Sequence, residues 1–230
     1  MFVGLTACKK EEPITPIWET LGEEKEDYII NRMNERYGHE FIFLEDEPLT
    51  SASGEDVSIV KSTEFPDRIT VYLNHKTGDI HDSYLMLYLR DEVEEELSKI
   101  VGEVYKDYKV FFNTGGHSLR GEHPDMTVRE FMEHQSEIRD VHFSIIVEDP
   151  EYKSNRDIDI DKVRQLFKEE EILPHIVILY VHPKELEQIN HENIYKRLND
   201  IKQEKWAYTR GSFTIGEDYE FVYTEWRDYE

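Results

Sequence analysis

At 230 residues the chain is long enough for one large domain or two small ones with a sizeable buried core, which excludes a disordered tail or a disulfide-built miniprotein. Lys and Arg number 27 against 51 Asp and Glu, and the resulting net charge of −24 repels nucleic-acid phosphates rather than neutralising them. With 38% hydrophobic and 12% aromatic residues, the expectation is an acidic globular body with no nucleic-acid partner.

The N-terminal stretch Phe2-Val3-Gly4-Leu5-Thr6-Ala7 is apolar or small and runs into Cys8, after which Lys9-Lys10-Glu11-Glu12-Pro13-Ile14-Thr15-Pro16 is polar. Cys8 is the single cysteine, so no disulfide can form within one chain. The tetrapeptide Leu5-Thr6-Ala7-Cys8 resembles the lipobox of bacterial lipoproteins, with Leu three residues before the cysteine, small residues between, and a Pro-containing tether after it. That resemblance implies a diacylglyceryl group on the Cys8 sulfur, removal of the preceding peptide, and residues 1–16 as signal remnant and tether. Two acyl chains anchor durably where one is marginal. The implied address is the extracytoplasmic face of the cell membrane, with an envelope protein or glycan as partner. The family's leader carries a basic segment and a longer apolar core than the seven residues before Cys8. Read instead as a plain thiol at a chain terminus, Cys8 leaves the protein in the cytoplasm. No stretch approaches the roughly 18–20 apolar residues of a membrane-spanning helix, and the run from His175 to Val181 is strand-sized.

Beyond the tether, Leu21, Tyr28, Ile29, Met33 and Tyr37 return at helical spacing and predict a helix over 17–37 stopped by Gly38. Residues 40–45 read as a strand, and 57–60 and 68–73 as short strands joined through Pro66. Residues 74–82 read as a loop, and 83–89 fit either a strand or the start of a helix. Val93, Leu97, Ile100, Val101 and Val104 predict a helix over 90–105, followed by a strand at 109–113. The segment 115–126 carries three glycines, Pro124 and two histidines, and reads as a linker or functional loop. After it come a helix over 127–135, a strand over 141–147, a helix opening at Asp161 and a strand over 176–181. A long helix over 184–202 and two closing strands, 206–215 and 219–226, complete the chain, the strands forming a hairpin around Gly216-Glu217-Asp218.

This order predicts an α+β fold of small, mostly antiparallel sheets with packed helices, as one body or as two similar-sized halves, 17–114 and 127–230. An acidic, disulfide-free body of this kind behind Leu5-Thr6-Ala7-Cys8, opening with the run Asn31 to Phe41, is similar to lipoproteins of Gram-positive bacteria. That resemblance implies an address and brings no activity.

Four features invite chemistry. His117 and His123, with Glu122 and Asp125 beside them and His134 and His142 further on, are imidazoles and carboxylates of the kind that bind divalent metals, though at no recognised spacing. Asp157-Ile158-Asp159-Ile160-Asp161 imitates the start of an EF-hand, but Lys162 and Lys168 stand where that loop needs Gly and Glu. An extended segment with Ile inward and Asp outward, capped at Asp161, accounts for it. The run Asp91 to Glu96 reads as a solvated helix face. Tyr219, Phe221 and Tyr223 alternate with Glu220, Val222, Thr224 and Trp226, an aromatic row suited to core packing or to stacking on a partner.

No Gly-x-Ser-x-Gly, phosphate-loop or His-Glu-x-x-His motif occurs. The sequence therefore assigns no catalytic residue, no cofactor and no metal ligand, and Cys8 alone as a site of lipid attachment. The leading expectation is a lipid-anchored, non-enzymatic binding module of the cell envelope. The alternatives are a metal-dependent hydrolase or metal-binding protein using the His117/His123 loop, and an acidic immunity or inhibitor protein that covers a basic partner.

Overall fold

A computed structural model describes residues 16–47, 55–64, 66–114, 125–137 and 141–229. The chain is α+β and divides into two compact units at Tyr84/Leu85. The N-terminal unit opens with α1 (Ile17–Leu21) and α2 (Lys25–Tyr37). A sheet follows, of β1 (Phe41–Asp46), β2 (Glu55–Ser62), β3 (Arg68–Asn74) and β4 (Ile80–Asp82), antiparallel in sequence order. Helix α2 buries Tyr28, Ile29 and Met33, and β3 alternates buried Ile69, Val71 and Leu73 with partly exposed neighbours, the helical and strand periods expected of elements sharing one core. The predicted helix over 17–37 is broken because Gly22 takes a left-handed conformation (φ 74°) that ends α1. The predicted loop 74–82 contains β4, too short to register as a pattern.

Helix α3 (Tyr84–Tyr88) begins at the division, which settles the ambiguity of 83–89 as helix. The C-terminal unit continues with α4 (Arg90–Val101), β5 (Tyr108–Phe112), α5 (Val128–Glu137), β6 (Val141–Val147), α6 (Tyr152–Glu169) and β7 (Pro174–Val181). It closes with α7 (Glu185–Gln188), α8 (Ile194–Glu204), β8 (Ala207–Ile215) and β9 (Phe221–Asp228). The five strands lie in sequence order, antiparallel except for β6 and β7, whose parallel pairing requires the α6 crossover. Because β5 pairs with β6 across residues 113–140, residues 85–112 belong to this unit, and the division falls at 84 rather than in the glycine-rich segment.

The central strands show which face is which. On one face Phe112 meets Phe131 of α5 and Phe143 meets Phe167 of α6, with ring centroids 6.2 and 5.4 Å apart. On the other, Phe111, Ile146, Leu179 and Val181 pack with Ile189, Ile194, Ile201 and Trp206. Among the described residues, that second face is covered at one end only. Towards its other end His142, His175, Val177, Arg210, Ser212 and Thr214 are half-buried, and Tyr223 is 46% exposed.

Three expectations in this unit are corrected. Asp157 to Asp161 lies inside α6, not in an extended segment, since Tyr152, Ile160, Val163 and Phe167 bury a helical face over a longer window than the local alternation. The helix expected over 184–202 is interrupted at 189–193, where Asn190 and Asn193 accept each other's backbone N–H at 3.2 and 3.0 Å. The expected alternation along the last strand is broken by a register shift opposite Thr214/Ile215. Phe221 and Trp226 therefore pack with Phe213 on the helix-covered side, while Tyr223, Glu225 and Arg227 line the open one.

Candidate functional site

Strand β8 follows a strict period of two: Ala207, Thr209, Gly211, Phe213 and Ile215 are buried, and Tyr208, Arg210, Ser212 and Thr214 face the other way. Register aligns them with the neighbouring strands in three cross-strand rows: Leu179, Arg210 and Arg227; Val177, Ser212 and Glu225; His175, Thr214 and Tyr223. His175, Arg210, Ser212, Tyr223, Glu225 and Arg227 line a recess of about 280 Å³.

Within it, Glu225 is held by both Nε and Nη2 of Arg227 at 2.8 Å and accepts the Tyr223 hydroxyl at 2.7 Å. The Arg227 guanidinium first, then the Tyr223 hydroxyl, holds the Glu225 carboxyl below its usual range, and the bond to Glu225 lifts the Tyr223 phenol. His175 Nδ1 lies 2.8 Å from Thr214 Oγ1, and its ring sits 5.0 Å from that of His142 on the adjacent strand. Burial first, then the charges of His142 and Arg210, hold the His175 imidazole below the ordinary histidine range. Arg210 is different: among the described residues it makes no hydrogen bond or ion pair, and its Nε is buried without an acceptor.

A second constellation joins α4 to the loop before α8. Ligand atoms of Asp91, Glu94 and His191 lie within 4.8 Å of one another, the group of this kind found among the described residues. Glu94 is 13% exposed, accepts the Phe112 N–H at 2.7 Å through Oε1, and approaches His191 Nε2 at 3.0 Å through Oε2. Burial pushes the Glu94 carboxyl up to about 7, against the opposing pull of the Phe112 N–H and Arg90. The His191 ring is set edge-on to Phe111 at 5.1 Å, and Lys109 pins the chain two residues before it by donating to the Ile189 carbonyl at 2.7 Å. Asp91 is 84% exposed and accepts from Arg90 Nε at 3.1 Å. All of this lines a recess of about 580 Å³. Two carboxylates and an imidazole suit a borderline divalent ion better than calcium or magnesium.

In the N-terminal unit, the recess between α2 and the turn before β4 holds Arg32 and Arg36, and both guanidiniums are already engaged, by Glu35 and by Asp82. Asp82, 1% exposed, accepts Arg36 at 2.6 Å, the Tyr37 hydroxyl at 2.8 Å and the Tyr84 N–H at 3.0 Å. Burial raises its carboxyl despite those partners. This is a structural latch between α2 and β4.

Of the residues singled out in the sequence, Cys8, His117, Glu122 and His123 lie outside the described residues. His134 is on α5 and His142 on β6, and neither joins the metal-ligating group. The carboxylates of the EF-hand-like run are spent locally: Asp157 accepts the Trp226 indole, Asp159 pairs with Lys162 and Asp161 with Arg164. Arg210 and His191 were missed. For Arg210 the available signal was a cation at an outward position of an alternating strand; for His191 there was none, because only the topology brings it to Glu94.

No family model matches the chain, and no curated protein matches it. Among solved structures it is similar to a crystal structure of a DUF5037 family protein from Ruminococcus gnavus, with 12% sequence identity and a TM-score of 0.45 over 87% of this chain and 95% of that one.

Proposed function

We propose that this chain is a lipid-tethered binding protein of the cell envelope, attached through Cys8, that holds its partner with fixed donors on the open part of the five-stranded sheet. The observation that carries the binding half is the pairing of Arg210 and Ser212 in one recess, two donors held ready by the backbone of β8. Donors that are preplaced and unspent hold a ligand; they do not by themselves transform one. The tether rests on Leu5-Thr6-Ala7-Cys8 and the polar segment after it. Expression in a Gram-positive host from the gene extended upstream of Met1 tests it. A mass gain of one diacylglyceryl group and detergent-phase partitioning, both lost in Cys8→Ala, are expected. A chain that stays aqueous with Cys8 intact overturns the tether.

The convergence of Asp91, Glu94 and His191 favours a second reading, a protein that binds a divalent transition ion at this group, with the His117/His123 loop as the other place for it. Titration with zinc decides between the two places. One equivalent bound, lost in His191→Ala and retained in a His117→Ala/His123→Ala variant, places the ion at the helix α4 group; the reverse pattern places it in the loop.

A further inference from the structure

Arginine side chains in this protein are, as a rule, committed. Arg36 serves Asp82, Arg156 serves Asp228 and the Trp226 ring, Arg164 serves Asp161 and Glu220, Arg197 serves Glu185, and Arg227 serves Glu225. With acids outnumbering basic residues 51 to 27, a guanidinium here has carboxylates in abundance. Among the described residues Arg210 nonetheless makes no hydrogen bond or ion pair, although it is half-buried and its Nε is shut away from solvent.

Such an arrangement is costly. A buried donor without an acceptor loses about 1–3 kcal/mol, and more when the group is charged. The register explains why the protein itself does not relieve it. Across β7 the residue opposite Arg210 is Leu179, and across β9 it is Arg227, a second cation. The one carboxylate in the recess, Glu225, is occupied by Arg227 through both oxygens. Beside Arg210 on the same face stands Ser212, whose hydroxyl makes no hydrogen bond. His175 and Tyr223 close the recess.

We infer that the recess formed by Arg210, Ser212, His175 and Tyr223 is a binding site for an oxyanion of the phosphate class, either free or as a phosphate ester on a larger molecule. The guanidinium fork presents several donors in a fixed plane, which fits phosphate oxygens pairwise, and the Ser212 hydroxyl supplies a donor from a different direction. A volume of about 280 Å³ admits such a group. The surplus of negative charge over the whole chain opposes an approaching anion. Affinity must therefore come from these preplaced donors and not from the protein's field. This inference names the ligand class for the binding surface proposed above and rests on that reading, but it is independent of the tether.

The test titrates inorganic phosphate into the full chain, with and without Cys8→Ala, while NMR follows the Arg210 Nε–H and the Ser212 amide. Saturable shifts at both positions in the native chain are the expected result, with the affinity read at the Ser212 amide weakened at least tenfold by Arg210→Gln and strongly by Arg210→Lys, which keeps the charge and loses the fork. Absence of saturation, or shifts unchanged in Arg210→Gln, overturns the inference. Thermal unfolding of Arg210→Gln should show the fold intact, so that lost binding is not lost structure. Vesicles of phosphatidylglycerol and of phosphatidylcholine separate the two sources of phosphate. Recruitment by the former alone, dependent on Arg210, identifies a headgroup ester. Saturation by inorganic phosphate without recruitment identifies a free ion or small ester. A protein that binds phosphate but stays aqueous with Cys8 intact retains the site and loses the tether.

Discussion

Asp82 and Arg210 are both charges taken largely out of water, and the two units of the protein treat them in opposite ways. Around Asp82 the N-terminal unit gathers a guanidinium, a phenol and a backbone N–H, so the carboxylate is fully occupied and nothing is left to offer. Around Arg210 the C-terminal unit gathers an apolar residue, a second cation, an uncommitted hydroxyl and a carboxylate, Glu225, whose hydrogen bonds are taken by Arg227 and Tyr223. A buried charge with every position filled holds elements together; one with its positions open is available to something outside the chain.

The largest expected effect breaks the latch. Arg36→Met leaves Asp82 buried without its cation and should cost about 3 kcal/mol of unfolding free energy, measured by denaturant titration. Because the folded carboxyl is already raised by burial, the charged form is the costly one. The deficit should therefore grow as pH rises above the usual carboxylate range and shrink as Asp82 is protonated below it. Adding Asp82→Asn to Arg36→Met should recover part of the loss; a strictly additive pair would mean that the two side chains are not coupled.

Neighbouring residues on β8 sharpen the contrast between the packed and open faces of one sheet. Gly211 lets the Trp226 ring lie directly on the strand, and a Cβ there would stand 2.6 Å from Trp226 Cζ3 and closer still to the Phe213 ring. The indole is fixed in turn by Asp157 and by the Arg156 guanidinium 4.8 Å above it. Gly211→Ala should cost about 1–3 kcal/mol through overpacking. Arg210→Gln, one residue away and pointing to the other face, should change stability by no more than about 0.5 kcal/mol, or raise it, since it removes a buried donor that has no acceptor. A loss at Arg210 as large as at Gly211 would mean that the guanidinium is part of the fold and not held for a ligand.

How much of this was legible in the sequence depends on whether the deciding relation is local. The α+β class and the closing hairpin could be read because a period of two or 3.6 residues survives in a short window. The Asp157 to Asp161 run misled for the same reason: five residues alternate like a strand, while the apolar positions that make it helix extend from Tyr152 to Phe167. The bulge that separates Phe221 from Tyr223 leaves no mark in residue types. Asp82 lay in a stretch read as loop, and its worth depends on Arg36 and Tyr37, which come from α2. That Arg210 is unpartnered is a fact about register, since a slip of one residue on β9 would set a different side chain opposite it.

The smallest effect expected is on His175, and it tests the open face most directly. Its imidazole is held below the ordinary histidine range by burial and by the neighbouring His142 and Arg210, while Thr214 beside it and Tyr223, Glu225 and Arg227 on β9 complete its surroundings. A depressed folded value means that the unfolded chain binds the proton more readily. Stability should therefore fall as pH drops through the unfolded range near 6.5, and His175→Gln should flatten that slope. Phosphate seated against Arg210 would offset the positive charge that His175 feels, so the NMR titration of His175 should move upward in its presence. In Arg210→Gln the titration should start higher and no longer respond to phosphate. A His175 curve indifferent to both changes would remove Arg210 from its surroundings and, with it, the view that these side chains act on one bound group.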